Sequence, residues 1–290
     1  MALLALALAV AAPPLAAQAI QIGVDPLRVS YQLQPGGTLT DAAHISNLGL
    51  APVPMTATVN DWRLSANGTP VFAPAGALTA DPYACSSWLR INPVQFVLGP
   101  GQSATVRYSI QVPAHAPVQG CHAAILFTTA PVLRPSARGG ILTRARLATI
   151  LYLTVGHPHT AGRLADISLA PPATAGGAWQ LHLSIANTGN TFFRASGTAS
   201  LLAAGGQVLA SFPLGSQVVL SQSTRVLSFP YSGALPPGHY QLRAQVDIGL
   251  PQIQELEKPV TVAAPAAPAA PAPPSAAPPP SPPAAHGPAR

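Results

Sequence analysis

Short segments in which apolar and polar residues alternate, each closed by turn residues, run along most of this chain. Val106, Tyr108 and Ile110 alternate as expected for a strand with one buried face. Asn67-Gly68 follows another such segment and is a hairpin-type turn signal. Because short strands at this spacing, with turn chemistry between them, are typical of β-sandwiches, the pattern predicts an all-β fold.

The strand pattern divides into two series at the polar segment 156–162. The first series predicts strands over residues 20–33, 39–46, 53–64, 88–91, 104–112, 122–128 and 143–155, with a Pro- and Gly-rich loop over 69–84. The second predicts strands over 164–169, 179–186, 197–202, 208–212, 224–229, 239–247 and 260–262. We therefore expect two sandwiches in tandem, in domains that span residues 20–157 and 158–262.

The two ends of the chain differ from the strand-rich middle. Residues 2–12 are apolar and are followed by Ala17-Gln18-Ala19, the small-x-small site that a signal peptidase needs. We expect a signal peptide over 1–19 and an exported protein, in the periplasm or at the cell surface. An uncleaved membrane anchor is the alternative. Residues 263–290 are nearly all Ala and Pro, which predicts a disordered tail.

Composition and motif content argue against an enzyme and against a nucleic-acid-binding protein. Only 8% of the residues are charged, and the net charge of +6 is spread thinly, whereas nucleic-acid binding calls for dense Lys and Arg. The acidic residues are scattered, and neither a nucleophile elbow nor a phosphate-binding loop occurs. His157 and His159 could share a metal, but no third ligand is evident nearby. We expect no cofactor, no metal and no small-molecule substrate.

The chain has two cysteines, Cys85 and Cys121, both in the first half. In an oxidising compartment, two cysteines in one domain are most simply a disulfide, and their spacing does not match a CxxC redox or zinc pattern. The sequence therefore predicts a Cys85–Cys121 disulfide, with a reactive thiol as the alternative.

Residues 25–130 carry a resemblance to a known family. The segments concerned are Asp25-Pro-Leu-Arg28-Val29, His44-Ile-Ser-Asn-Leu-Gly, Ser87-Trp88-Leu-Arg90-Ile-Asn-Pro93, Leu98-Gly-Pro-Gly101 through Arg107, and Gly120-Cys-His-Ala-Ala-Ile-Leu-Phe127. Together they resemble the N-terminal immunoglobulin-like domain of the PapD-like periplasmic chaperones, which assemble pili and other surface fibres. The resemblance implies two immunoglobulin-like domains that meet at a cleft.

The resemblance also implies a function and a set of site residues. Arg28 would anchor the terminal carboxylate of a fibre subunit, and the last strand of the first domain would complete that subunit's unfinished sandwich. The donor face implied on that strand is Ile141, Thr143, Ala145 and Leu147. An outer-membrane usher is a further implied partner.

Two features depart from the family pattern: the segment 120–127 stands where the family has a strand with an Asn-rich core and an Ile-Pro-Pro end, and one position of the carboxylate site differs. The lysine that completes the carboxylate site in the family falls near Thr149, which is neutral. Together with the Pro/Ala-rich tail, this keeps a second interpretation open, a non-enzymatic cell-surface structural or adhesive immunoglobulin-like module.

Overall fold

The computed structural model describes residues 21–78, 80–136, 139–174 and 176–263. The predicted signal peptide at 1–19 lies outside these residues, as does the predicted tail 263–290 apart from Ala263. The regular secondary structure of these residues consists of strands and one short 3-10 turn, Ser86–Trp88. No helix in these ranges is long and apolar enough to cross a lipid bilayer.

The first sandwich is built from the strands that precede residue 156. They are β1 (Ile22–Asp25), β2 (Arg28–Leu33), β3 (Thr38–Asn47), β4 (Val53–Leu64), β5 (Pro70–Pro74), β6 (Leu89–Asn92), β7 (Gln95–Leu98), β8 (Ser103–Gln111), β9 (Gly120–Thr129), β10 (Val132–Ser136), β11 (Gly139–Thr143) and β12 (Arg146–Val155). One sheet has the order β1-β3-β8-β6 and the other β2-β12-β9-β4-β5, with β7 beside β4. Strands β10 and β11 form a separate hairpin.

The beginning of the chain crosses from one sheet of this sandwich to the other. Strand β1 pairs antiparallel with β3, whereas β2 pairs parallel with β12. Pro26 and Leu27 make the crossing, after a cis Asp25–Pro26 peptide bond. The core between the sheets includes Ile45, Tyr108 and Phe127, all fully buried.

The second sandwich contains β13 (Gly162–Ala170), β14 (Trp179–Asn187), β15 (Phe193–Ala203), β16 (Val208–Pro213), β17 (Gln217–Val219), β18 (Thr224–Tyr231), β19 (Gly238–Asp247) and β20 (Gln254–Val262). Its sheets have the orders β13-β14-β18 and β16-β15-β19-β20, with β17 beside β15. The prediction of an all-β chain with two tandem sandwiches is confirmed.

The predicted disulfide is present in the structure. Cys85, next to the 3-10 turn, is joined to Cys121 on β9, with the two Cα atoms 5.9 Å apart. This separation is ordinary for a disulfide, and both residues are buried in the first core.

Two strand predictions are wrong in part. The expected loop over 69–84 contains β5, which forms a hairpin with β4 through the turn at Asn67-Gly68. Pro70 and Pro74 hid this strand, because proline is confined to edge strands, and β5 lies at the edge of its sheet.

The single strand expected over 143–155 is two strands with a break at 144–145. Ala145 stands opposite Thr129, in register with the Arg146–Thr128 pair. The Thr129 amide donates to the Ala145 carbonyl as in a ladder, but the Ala145 amide donates to Thr129 Oγ1, both at 3.0 Å. The regular ladder with β9 therefore begins only at Arg146.

An apolar cluster joins the two sandwiches. Trp62 and Tyr152 from the first pack with Val218 and Leu220 from the second. Backbone hydrogen bonds run alongside: Gly120 N donates to Asn190 O, and Val226 N donates to Ala66 O, each at 2.8 Å. This junction fixes the position of the cleft described next.

Candidate binding cleft between the two sandwiches

Arg28 lies at the point where the chain, after crossing from the sheet of β1, joins the second sheet of the first sandwich. It is the first residue of β2 and stands opposite Ile150 in the parallel ladder with β12. Its side chain is exposed, and within the described residues its guanidinium forms no ion pair and no hydrogen bond. The structure therefore leaves this cation available to a ligand.

Arg28 lines a cavity of about 170 Å³ at the junction of the sandwiches. The walls are formed by Arg28, Trp62, Leu64, Gly68, Pro70, Ile150 and Tyr152 of the first sandwich, and by Ser216, Gln217, Val218 and Arg225 of the second. Among the residues that the structure describes, two arginines and no carboxylate line this cavity. Its charge suits an anion.

Aromatic side chains hold one wall of the cavity in place. Trp62 is buried, and its Nε1 donates to the carbonyl of Ala123 at 3.0 Å. Its ring meets Tyr152 edge-on, with centroids 5.6 Å apart, and Tyr152 packs on Phe192 at 4.8 Å. Because Phe192 belongs to the second sandwich, the aromatic contacts span the junction.

Positive charge surrounds the Tyr152 ring. Burial raises the pKa of the Tyr152 hydroxyl, and the nearby guanidinium groups of Arg194 and Arg28 act in the opposite direction. Arg194 lies with its Cζ 5.5 Å from the ring centroid, within the range of a cation–π contact.

Arg225 reaches the same cavity from the second sandwich. Its Nη2 donates to Gln217 Oε1 at 3.4 Å, while Nε and Nη1 are buried without a partner. Burial lowers the pKa of this guanidinium. The side chain lies so close to Gly68 that a Cβ at that position would overlap it.

Thr149, near the position of the family's lysine, has a structural role. It is fully buried, and its Oγ1 donates to the carbonyl of Pro26 at 2.8 Å. This bond holds the segment that crosses between the sheets. A neutral hydroxyl committed in this way does not act as a second cation.

A free strand edge leads to Arg28. Strand β2 pairs with β12 only from Ile150 to Val155, whereas β9 pairs with β12 from Arg146 on the other side. Pro26 and Leu27 cover that side at Thr149 and Ile150, and in the described ranges no strand lies on the β2 side of residues 146–148. An added strand could therefore pair there, in line with β2.

The four residues of the expected donor face do not share one strand. Ile141 and Thr143 lie on β11, Leu147 lies on β12, and Ala145 lies in the break between them. Ile141 is 61% exposed, whereas Leu147 is half-buried. The face is thus divided by the break, and its role as a donor stays a prediction.

His157 and His159 lie in the connection between the sandwiches. In the part of the chain that the structure describes, no group of three or more His, Cys, Asp or Glu side chains could hold a metal ion. The absence of metal binding stays a prediction.

Sequence reasoning missed most of the cleft. It singled out Arg28 but not Arg225, Trp62 or Tyr152. Apolar periodicity within one strand cannot indicate which residues of another sandwich will face it. The signal that existed was the Asn67-Gly68 turn, because Gly68 permits the close approach of Arg225.

Comparison with known proteins gives structural matches only. No family model matches the chain, and no curated protein matches it. A chain of the CsuC–CsuE chaperone–tip adhesion subunit pre-assembly complex of Acinetobacter baumannii Csu pili matches with 13% identity and a TM-score of 0.43, over 82% of this chain and 97% of that one. The class 5 fimbriae chaperone CfaA matches with 8% identity and a TM-score of 0.42, over 82% and 98%.

The CupB2 chaperone of Pseudomonas aeruginosa also matches, with 13% identity and a TM-score of 0.39, over 82% of this chain and 99% of that one. The solved structures to which this chain is similar, at low sequence identity, thus include fimbrial chaperones.

Proposed function

We propose that this protein is a periplasmic chaperone that holds surface-fibre subunits by donor-strand complementation. The observation that carries the proposal is the free edge of β12 at residues 146–148, which points along the strand towards the unpaired guanidinium of Arg28. An extended segment of a partner could add to this edge through main-chain hydrogen bonds.

The direction of β12 supports a carboxylate as the group that meets Arg28. Strand β12 runs from Arg146 towards the junction, and its existing neighbour β2 is parallel to it. A partner strand parallel to β12 would therefore end beside Ala148, with its C-terminus directed towards Arg28. A guanidinium can bind a carboxylate through two parallel hydrogen bonds.

Exposed apolar side chains extend the free edge away from the cleft. Leu133 on β10 and Ile141 and Leu142 on β11 are each more than 60% exposed. An apolar patch of this kind marks an interaction surface. A subunit that lacks one strand has an open apolar groove, and the hairpin could cover part of it.

A second candidate function is a cell-surface structural or adhesive module. The observation that favours it is Thr149, whose buried hydroxyl is already bonded to Pro26, so that among the described residues of the first sandwich Arg28 alone supplies a cation to the cavity. In that case Arg28 would be an ordinary surface arginine.

Co-purification from the periplasm of the native host, followed by mass spectrometry, tests the proposal. Arg28→Ala should fold normally, within about 0.5 kcal/mol of the wild type, because it changes an exposed side chain without a partner. It should nevertheless lose the bound subunit. Arg107→Ala is the control, because Arg107 is exposed on β8 in the opposite sheet.

Retention of the subunit by Arg28→Ala at the wild-type level would show that the carboxylate anchor is wrong, and the structural module would become the better interpretation. The outer-membrane usher stays a prediction, which the same mass spectra address.

A further inference from the structure

We propose that Arg225 of the second sandwich supplies the second cation of the carboxylate site, with Arg28 as the first. This inference rests on the proposed function and adds a residue that the family pattern does not assign. The site would then be complete only where the two sandwiches meet, because each contributes one arginine to the same cavity.

The backbone on both sides of the junction fixes the position of Arg225. It is the second residue of β18, and the amide of the next residue, Val226, donates to the carbonyl of Ala66 at 2.8 Å. Ala66 lies in the turn between β4 and β5, and Gly68 of that turn lies against the Arg225 guanidinium. The turn and the arginine therefore hold each other in place.

The Arg225 guanidinium has donors that lack a hydrogen-bond acceptor. The only hydrogen bond of this side chain within the described residues is the long one to Gln217, and Nε and Nη1 are buried with no partner. Leaving buried donors of a cation unpaired is unfavourable. A carboxylate in the adjoining cavity would offer the missing acceptors after a small rotation of the guanidinium.

The charge of the cavity points to the same ligand class. Arg28 and Arg225 line it, Arg194 lies close by over the Tyr152 ring, and the lining contains no acidic side chain. Inside a partly desolvated cavity these charges are screened less than at an open surface. Because Thr149 has no charge, the second sandwich is the source of the second cation.

A purely structural role is the competing explanation, since Arg225 also packs against Gly68 at the junction. The two roles differ in one measurable property. Loss of an arginine with a structural role weakens every ligand of the cleft equally. Loss of an arginine that binds the carboxylate weakens only the ligands that end in a carboxylate.

The experiment uses the full-length protein and two synthetic peptides with the same alternating Thr and Val sequence. One ends in a free carboxylate and the other in a carboxamide. Isothermal titration calorimetry gives the ratio of their dissociation constants for the wild type, Arg225→Gln, Arg225→Lys and Arg28→Ala, with Arg107→Gln as the matched control for loss of one positive charge.

We expect the wild type to prefer the carboxylate, and Arg225→Gln to reduce that preference about tenfold, as the loss of one charge-assisted bond implies. Affinity for the carboxamide should not change. Arg225→Lys should restore part of the preference, and Arg107→Gln should keep all of it. Urea unfolding of each variant shows that the fold is retained.

The possible failures are distinguishable. If Arg28→Ala abolishes the preference and Arg225→Gln leaves it intact, the role of Arg225 is wrong and the proposed function stands. If Arg225→Gln weakens both peptides equally, Arg225 is structural and the inference is wrong. If the wild type does not prefer the carboxylate, or binds neither peptide, both the inference and the carboxylate-anchor mechanism are wrong.

Discussion

Arg28 and Arg225 face one cavity, and neither has a carboxylate partner within the described residues. The ion pairs that the structure does form lie elsewhere, for example Lys258 with Asp166 in the second sandwich. A cation without an anionic partner gains no ion-pair energy in the folded state, and the partly buried Arg225 also loses hydration. Ion pairing within the described residues therefore does not explain the arrangement of the two arginines, whereas the proposed carboxylate site would.

Gly68 offers a residue-level test of the Arg225 position. Gly68→Ala should destabilise the protein, because the backbone there has φ +83° and because a Cβ would overlap the Arg225 guanidinium. Gly76→Ala is the matched control, since Gly76 has φ +76° and nothing within 4 Å of its would-be Cβ. The control should lose only the backbone contribution of roughly 1–2 kcal/mol.

Urea unfolding of both variants gives the comparison. Gly68→Ala should lose more stability than Gly76→Ala, and the difference measures the contact with Arg225. Equal losses would mean that Arg225 moves away freely and is not held against the turn.

The strands that the sequence predicts best are those with one buried face. Val106, Tyr108 and Ile110 on β8 alternate in the sequence and are buried in the structure. Strand β9 was expected from its apolar run, and it does not alternate because both of its faces are covered from Gly120 to Phe127. One face meets the first core, and part of the other meets Trp62 and the second sandwich.

The elements that the sequence does not predict are short edge strands and features that depend on packing. Strand β5 begins and ends with proline, and β10 pairs with β11 alone among the described strands. The free edge of β12 follows from where β2 starts, at Arg28, which alternation within β12 cannot reveal. For the same reason the sequence indicates Arg28 by its motif but not the cavity that it lines.

The β10–β11 hairpin gives a test at the level of elements. Replacing both Ile141 and Leu142 by Ser should leave stability within about 0.5 kcal/mol, because both side chains are exposed. It should weaken retention of the subunit in the co-purification assay, because the partner loses apolar contact area. Leu48→Ser with Leu50→Ser is the control, since these residues are exposed in the turn between β3 and β4.

If the hairpin variant retains the subunit as well as the control pair does, the partner does not contact β11. The carboxylate site would be unaffected by that result, and the expected donor face would be restricted to β12.

At the scale of the whole molecule, the junction between the sandwiches forms the cleft and contains a buried histidine that makes stability depend on pH. His122 on β9 packs edge-on against Trp62, with ring centroids 5.2 Å apart. Only 3% of its surface is exposed, and its Nε2 has no hydrogen-bond partner among the described groups. Burial lowers the pKa of this histidine, while the carboxylates of Asp81 and Asp61 and a hydrogen bond with Trp62 oppose the shift.

The direction of the shift gives a pH dependence of stability. The unfolded chain takes up a proton at His122 near its ordinary pKa of 6.5, whereas the folded chain takes it up only at lower pH. Stability should therefore fall as the pH falls below about 7, by at most about 1.4 kcal/mol per pH unit from this group. The loss ends below the pKa of the folded state.

Urea unfolding between about pH 7.5 and pH 5.5 measures this dependence. His122→Gln should flatten it, whereas His115→Gln should not, because His115 is exposed. A free energy of unfolding of the wild type that stays constant or increases as the pH falls over this interval would contradict the assignment of a neutral His122 to the folded protein.

Amide hydrogen exchange of the protein, alone and with its co-purified partner, tests the central claim most directly, because strand addition protects backbone amides along the edge that receives the strand. We expect slower exchange in the complex within residues 146–148 of β12, with no change at β16, an edge strand of the second sandwich. Unchanged exchange at 146–148 in a complex that protects other residues would contradict strand addition at this edge.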